Sequence, residues 1–247
     1  MASKIISIFI ALQLLITLLN CRNIPTIALY YESLCPGCEE FIGTSVKTFQ
    51  NFKGHENLAT LKFYPYGNAR ETQDGNKWKF SCQHGAPECQ GNLVESCAIK
   101  KMQPEMFTNF LVCIKENISS QGNDFIKTTK ICETDSANYN AVMACVNGDE
   151  GNAVQHDIAV ATEGLKPAHK WVPWVVVDGV YDSDVQDQLS DDMLGYICDN
   201  YSDIPQVKEA CKNHSKSNEK NQINGFCLNN KYGFLKDLFV EHEHPSS

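Results

Sequence analysis

The feature that most constrains this chain is Cys35-Pro36-Gly37-Cys38. It follows the apolar run Thr26-Ile27-Ala28-Leu29-Tyr30-Tyr31 after a short turn, Glu32-Ser33-Leu34. Such a run reads as a buried strand, and a Cys-x-x-Cys pair where a strand hands over to a helix is a redox signature. The reason is local. Proline disfavours helical angles in the residue before it, so Cys35 is expected at the N-cap. Pro36 then falls at the first helical position, where its missing N–H costs nothing. A sulfur at the cap faces free backbone N–H groups, including that of Cys38, and the positive end of the helix dipole; both favour thiolate over thiol. After the pair, Phe41, Ile42, Ser45, Val46, Phe49 and Phe52 recur at three- and four-residue spacing, one face of an amphipathic helix. A structural disulfide is a poor alternative, because a two-residue gap closes almost no loop. Half a zinc site would need a second pair of ligands. The stretch therefore reads as a catalytic dithiol made of Cys35 and Cys38.

The start of the chain sets a compartment for that dithiol. Lys4 precedes an apolar run from Ile5 to Leu19, broken only by Ser7, Gln13 and Thr17 and ended by Asn20-Cys21-Arg22. Residues 1–21 are read as a cleaved signal peptide, the apolar run being short for a membrane span. No later stretch is long and apolar enough to cross a bilayer, so no stable membrane association is expected. Twelve cysteines fit an oxidising compartment. Sequons at Asn117, Asn200 and Asn213 agree with passage through the secretory pathway and are the expected glycosylation sites. Setting aside Cys21, Cys35 and Cys38 leaves an odd number of cysteines, which cannot all pair within one chain. A net charge of −9 and a pI near 5.2 argue against nucleic acid and anionic membranes as partners.

Taken in order, Leu58 to Tyr64 reads as a second strand stopped by Pro65 and Gly67, giving a βαβ unit with a right-handed crossover. Residues Asn68 to Lys79 are polar and read as a surface connection. From Ser81 to Leu165 the period becomes helical. Stripes fall at Leu93, Val94, Cys97 and Ala98; at Met106, Phe107, Phe110, Leu111, Cys113 and Ile114; and near Phe125, Ile126 and Cys132. Two more fall at Tyr139, Val142, Met143, Cys145 and Val146, and at Val154, Ile158, Ala161 and Leu165. Cysteines on or near most of these stripes suggest helices stapled by disulfides. Cys113 with Cys132 and Cys97 with Cys145 are two possible pairings, although connectivity does not follow from spacing. The β signal returns at Trp171 to Val177, with a hairpin turn at Asp178-Gly179 and a return strand from Val180-Tyr181. A last helix follows, with Ser183 and Gln186 spaced as a capping box and a stripe of Val185, Leu189, Met193 and Ile197.

That order makes an α/β, thioredoxin-like fold with a disulfide-stapled helical insertion between its βαβ and ββα halves. The expected divisions are 22–80 for the N-terminal half, 81–168 for the insertion, 169–200 for the C-terminal half and 201–247 for a cysteine-containing polar tail. In such a fold Pro173 is the candidate for a cis-proline beside the dithiol. It exposes no N–H there, and the backbone of Val172 is left to pair with an extended substrate segment. Val172 and Pro173 are thus the expected substrate-binding residues.

A second constellation runs from Cys82 to Cys97: Cys82-Gln83-His84-Gly85-Ala86-Pro87-Glu88-Cys89-Gln90-Gly91-Asn92-Leu93-Val94-Glu95-Ser96-Cys97. Cys82, His84, Cys89 and Cys97 can be read as zinc ligands, but in a secreted chain a disulfide-tied loop opening a helix is the better reading. No metal and no cofactor are expected. Cys-x-x-Cys after a strand ending in Tyr-Tyr-Glu, followed by Cys-Gln-His-Gly-x-x-Glu-Cys-x-x-Asn-x-x-x-x-Cys, resembles the gamma-interferon-inducible lysosomal thiol reductase family. Tyr64-Pro65-Tyr66-Gly67-Asn68-Ala69 and Val172-Pro173-Trp174-Val175 are similar to that family's pattern as well. The resemblance implies a soluble, glycosylated thiol reductase of late endosomes and lysosomes that reduces disulfide-bonded proteins at acidic pH. Cys35 would be its nucleophile and Cys38 its resolving cysteine, with a small thiol or another dithiol as reductant.

Acidity is the difficulty for such an enzyme, since an ordinary thiol with a pKa of about 8.5 holds roughly one thiolate in several thousand at pH 5. The helix start must depress the Cys35 pKa, while Glu39 and Glu40 oppose this until they are protonated. His84 reads as a hydrogen-bonded loop histidine or as a proton donor near the site. Two other functions share parts of the pattern: a secreted disulfide oxidase or isomerase, and a non-enzymatic cysteine-rich binding module in which the dithiol would have no role.

Overall fold

A computed structural model describes residues 23–133, 135–212 and 214. The expected signal peptide, Cys21, Cys227, the Asn213 sequon and the tail from Leu228 lie outside these residues. The apolar run before the dithiol forms β1 (Thr26–Tyr31), buried at all but its first residue. It pairs in parallel with β2 (Thr60–Pro65) and antiparallel with β5 (Trp174–Val177), which in turn pairs antiparallel with β6 (Val180–Tyr181). The sheet order β2-β1-β5-β6 is the thioredoxin-like arrangement, with β1 central and both of its edges paired. Asp178 and Gly179 join β5 to β6 with φ of 50° and 83°, the left-handed pair that a two-residue hairpin requires. Asp178 also accepts the Thr26 N–H at 2.8 Å through Oδ1 and the Tyr201 hydroxyl at 3.0 Å through Oδ2, so one turn residue ties three segments together.

Between β1 and β2 the chain forms α1 (Pro36–Phe41), a π-helical turn (Ile42–Val46) and α2 (Lys47–Asn51). Phe41, Ile42, Ser45, Val46 and Phe49 are buried as the spacing predicts, and Phe52 is half-buried where the helix ends. The inserted helices are α3 (Ala86–Lys101), α4 (Pro104–Asn117), α5 (Phe125–Cys132), α6 (Ser136–Val146) and α7 (Asp149–Glu163). Cys97–Cys145 ties α3 to α6 and Cys113–Cys132 ties α4 to α5, the two pairings raised from the sequence. Cys82–Cys89 closes the loop that opens α3, and Cys198–Cys211 joins α8 (Ser183–Asn200) to the helical residues 205–212. Ile204, Val207 and Cys211 belong to the main core, so the chain just after α8 is docked.

Several local expectations are corrected. The polar stretch after β2 is a hairpin, β3 (Arg70–Asp74) with β4 (Lys77–Ser81), rather than an irregular connection. Its anchoring comes from α7: the Trp78 ring stacks on His156 at 4.0 Å, Asn152 bonds both the N–H and the carbonyl of Trp78, and Glu71 meets His156 at 2.8 Å. A polar sequence with two aromatics carries little strand signal until that helix is in place. The buried side of α7 is Gly151, Gln155, Ala159 and Thr162, while Val154, Ile158, Ala161 and Leu165 are half-buried. Gln155 decides this orientation by accepting from the Ser96 hydroxyl at 2.9 Å and donating to the Pro65 carbonyl at 3.0 Å. Met106, placed on the α4 stripe, is 41% exposed. α8 is capped by Asp182, whose carboxylate accepts from the N–H groups of Asp184 and Val185; Gln186 instead accepts from the Val175 N–H at 2.9 Å. The expected Ser183–Gln186 box does not form because Gln186 is spent on β5.

Gln155 offers a direct check on this packing. Replacing it with Leu leaves the Ser96 hydroxyl and the Pro65 carbonyl without partners, and the expected cost is about 1–3 kcal/mol in urea unfolding. Val160→Ala, on the exposed side of the same helix, should change stability by no more than about 0.5 kcal/mol.

Candidate active site

Cys35 occupies the N-cap of α1 in an extended conformation, with φ −71° and ψ 122°, and Pro36 opens the helix. Cys38 therefore sits one turn in, pointing into the core. Both thiols are free; Cys35 is 8% exposed and Cys38 is not exposed at all. This difference in depth separates their chemistry. A hydrogen bond from the Cys38 thiol, the backbone N–H groups of Cys38 and Gly37 and the charge of His84 together hold the Cys35 pKa down to about 6, against burial. Burial, reinforced by the hydrogen bond and charge of Cys35, pushes the Cys38 thiol far above its ordinary range. The pair sets a nearly buried thiol that ionises readily at the helix cap above a deeper thiol kept protonated.

Opposite the dithiol, the Val172–Pro173 peptide is cis, and the Val172 carbonyl accepts from the Cys35 thiol at 3.7 Å. Gly37 lies directly against Pro173: a Cβ there would stand 3.4 Å from the proline Cδ. Val172 and Pro173 thus border the Cys35 end of the dithiol.

The turn before Cys35 is gripped by the inserted helices. The Ser33 N–H donates to Asn92 Oδ1 at 2.9 Å, the Ser33 hydroxyl donates to the Glu88 carbonyl at 2.9 Å, and Lys115 Nζ donates to the Ser33 carbonyl at 2.7 Å. Asn92 and Glu88 come from α3 and Lys115 from α4. Gly91 is what lets α3 approach, since a Cβ there would lie 2.3 Å from Ser33 Oγ and 2.4 Å from the Phe125 ring. Lys115 is buried and pairs with buried Glu95 at 2.7 Å, its ammonium standing over the Tyr31 and Phe125 rings. Gly91 and Asn92 of the Cys82–Cys97 signature thereby acquire a structural purpose.

His84 lies in the loop that Cys82–Cys89 closes, and its Nδ1 bonds Glu88 Oε2 at 2.5 Å. Glu88 Oε1 accepts the backbone N–H of the same histidine at 3.0 Å. Glu32, buried beneath, accepts the Asn68 N–H at 2.7 Å through Oε1; its Oε2 is buried without a hydrogen-bond partner and faces His84 Nδ1 at 3.7 Å. Gly67, at φ 57°, leaves room for this carboxylate: a Cβ there would be 2.4 Å from Glu32 Cγ. Burial, then the charge of Glu88, raise the Glu32 pKa to about 7, with Cys35 contributing further. Its bond to Glu88 and the charges of Glu88, Glu32 and Cys35 raise the His84 pKa, so the imidazolium is favoured.

The carboxylate coupled to Cys35 is therefore Glu32, from the turn. Glu39 is half-buried with its own pKa raised by burial, and Glu40 is exposed. The ligand atoms of Glu32, His84 and Glu88 lie within 4.8 Å of one another, but the bonds just described already explain the group. The zinc reading of Cys82, His84, Cys89 and Cys97 falls, because all three cysteines are in disulfides. Of the sequons in the described residues, Asn200 is exposed, while Asn117 is half-buried and its amide donates to the Cys113 carbonyl at 2.9 Å. Sequence reasoning missed Glu32, Ser33, Glu95 and Lys115. Lys115 had a detectable signal: it stands four residues after Leu111 on an otherwise apolar stripe, a cation where the helix turns inward.

Two measurements test this geometry. Iodoacetamide should alkylate Cys35 with a pH midpoint near 6, while Cys38 stays unreactive over the same range. Lys115→Met should leave Glu95 buried and unpaired, destabilising the fold by about 3–5 kcal/mol in denaturant titration.

A family model described as gamma interferon inducible lysosomal thiol reductase (GILT) matches residues 26–136. A gamma-interferon-inducible lysosomal thiol reductase from Carassius auratus is 35% identical over 208 residues, covering 83% of this chain and 77% of its own. A gamma-interferon-responsive lysosomal thiol protein from Arabidopsis thaliana is 34% identical over 197 residues, covering 78% of each chain. Among solved structures, a DsbA from Chlamydia trachomatis has a TM-score of 0.47 at 14% identity, over 66% of this chain and 80% of its own. With both of its motifs meeting at one site and relatives of this identity along most of its length, the chain belongs to the gamma-interferon-inducible lysosomal thiol reductase family.

Proposed function

We propose that this protein is a thiol-disulfide oxidoreductase that reduces protein disulfides in endosomes and lysosomes at acidic pH. The observation that carries the reading is the asymmetry of the dithiol, a Cys35 thiol held near 6 at the helix cap above a deeper Cys38 pushed far up. The Cys35 thiolate attacks a substrate disulfide and forms a mixed disulfide. Cys38 then attacks Cys35, releases the second substrate thiol and leaves the Cys35–Cys38 disulfide. A small thiol or another dithiol restores the reduced pair. The extended substrate segment lies along the Val172 backbone beside Pro173. A thiol with a pKa near 6 is about one-tenth ionised at pH 5, which makes acid turnover feasible.

The relatives' names support the lysosomal setting, and the Cys-x-x-Cys pair with its signal peptide and sequons fits delivery through the secretory pathway. Among the described residues no helix is long and apolar enough to cross a membrane. Glycosylation is proposed at Asn117, Asn200 and Asn213, with exposed Asn200 the more accessible of the two described. A second reading draws on one observation: stabilising the Cys35 thiolate stabilises the reduced form, which makes the dithiol more oxidising. A disulfide oxidase or isomerase would follow if the measured potential lay well above the glutathione couple.

The deciding assay is reduction of insulin or an immunoglobulin at pH 5 and pH 7 by the wild type and both single mutants. Cys38→Ser should accumulate a mixed disulfide with substrate and Cys35→Ser should not; the reverse trapping pattern refutes the assignment. Wild-type reduction should persist at pH 5, whereas a rate that follows an unshifted thiol would fall roughly a hundredfold or more between pH 7 and pH 5.

A further inference from the structure

We propose that His84 is the general acid of the reduction, giving a proton from Nε2 to the sulfur that departs when Cys35 attacks a substrate disulfide. The inference rests on the reductase reading and assigns a catalytic role that the dithiol cannot fill by itself. Its geometric basis is the way the ring is held. Nδ1 is fixed by Glu88, whose carboxylate is buried, and faces the unpartnered Oε2 of buried Glu32. That arrangement leaves Nε2 as the free nitrogen on a side chain 36% exposed. An imidazole anchored through one nitrogen by a buried carboxylate, with the other nitrogen open, is oriented for proton transfer.

The ring is also held near Cys35 by covalent and hydrogen-bonded structure. The Cys82–Cys89 disulfide closes its loop, and the Gly85 N–H donates to the Cys82 carbonyl at 3.1 Å. Glu88, whose carboxylate anchors the ring, accepts through its main-chain carbonyl from the Ser33 hydroxyl, two residues before Cys35. Glu32, its second neighbour, accepts the Cys35 N–H through its carbonyl at 3.4 Å. The titratable groups that act on His84 are Glu88 on α3, Glu32 in the turn and Cys35 at the cap; Glu39 on α1 is coupled to it as well. The carboxylates and the Cys35 thiolate favour the cation, so His84 carries its proton in acid and loses it as pH rises.

The chemistry balances. The Cys35 thiolate forms a bond to one substrate sulfur, the substrate S–S bond breaks, and the electron pair goes to the departing sulfur, which takes the His84 proton and leaves as a thiol. His84, now neutral, is reprotonated from an acidic solution. An alkyl thiolate is a poor leaving group and gains from this proton; a nitroaryl thiolate is stable without it.

The test compares two small disulfides, bis(hydroxyethyl) disulfide and dithiobis(nitrobenzoate), and reads the ratio of their rates. Any change in Cys35 reactivity affects both and cancels. His84→Gln should lower the alkyl-to-aryl ratio by about a hundredfold at pH 5. In the wild type the same ratio should fall as pH is raised through neutrality, a readout that needs no variant should His84→Gln fail to fold. An equal slowing of both substrates by His84→Gln, or a wild-type ratio that stays flat from pH 5 to pH 8, overturns the assignment. Failure of the wild type to turn over either disulfide would instead remove the reductase reading itself.

Discussion

Ser33 is the residue on which the rest of this structure depends. Its N–H, hydroxyl and carbonyl are bonded to Asn92, the Glu88 carbonyl and Lys115 respectively, and it is completely buried. It stands two residues before Cys35, so the inserted helices set the position of the Cys35 sulfur through it. Buried polar groups that lose a partner cost about 1–3 kcal/mol each, more when one is charged. The turn is consequently held in one conformation by groups that come from the insertion. The disulfides extend this logic outward: Cys97–Cys145 fixes α3 against α6, Cys113–Cys132 fixes α4 against α5, and α3 and α4 supply the residues that grip Ser33. The insertion is part of the candidate site's foundation.

The electrostatics of the site follow from depth and from which carboxylates are buried with it. Cys35 at the cap gathers hydrogen bonds from Cys38 and Gly37, while Cys38 below is denied solvent and stays a thiol. Glu32 opposes the Cys35 thiolate when ionised, but burial and Glu88 have already raised its pKa to about 7. As pH falls from neutral, Glu32 takes up a proton and its negative charge disappears from beside the sulfur. His84 becomes more completely cationic over the same fall. Both changes favour the thiolate as acidity increases, partly offsetting the direct protonation of Cys35. For folding stability the sign is different. A buried acid whose pKa is raised binds its proton more tightly in the folded state, so the contribution of Glu32 to stability decreases as pH rises from about 4.5 to about 7.

The four strands of the main sheet, their order with the helices, the dithiol at a helix start and the helical character of the insertion were legible along the chain. They rest on local rules: the period of apolar residues, the angles proline permits, and the turn chemistry of Asp178-Gly179. The β3–β4 hairpin was not legible, because Arg70 to Ser81 is too polar to show a strand pattern and gains its order from the His156 and Asn152 side chains of α7. The buried side of α7 was misjudged for a related reason. Gln155 is polar in sequence and becomes a core residue only when Ser96 and the Pro65 carbonyl are there to receive it.

At Cys35-Pro36-Gly37-Cys38 the sequence alone determined that a pair of cysteines would open a helix after a buried strand, since cap position and proline geometry are set by adjacent residues. It could also mark Cys82 to Cys97 as a signature, without assigning its residues a purpose. Only the tertiary structure decided that Glu32 rather than Glu39 is the carboxylate coupled to Cys35, that Lys115 turns inward to Ser33, and that Glu88 anchors His84 beside the dithiol. Ser33 meets Glu88, Asn92 and Lys115 across 55, 59 and 82 residues through packing, and burial sets the strength even of the pairs that are close in sequence. Neither separation nor burial is written in local spacing.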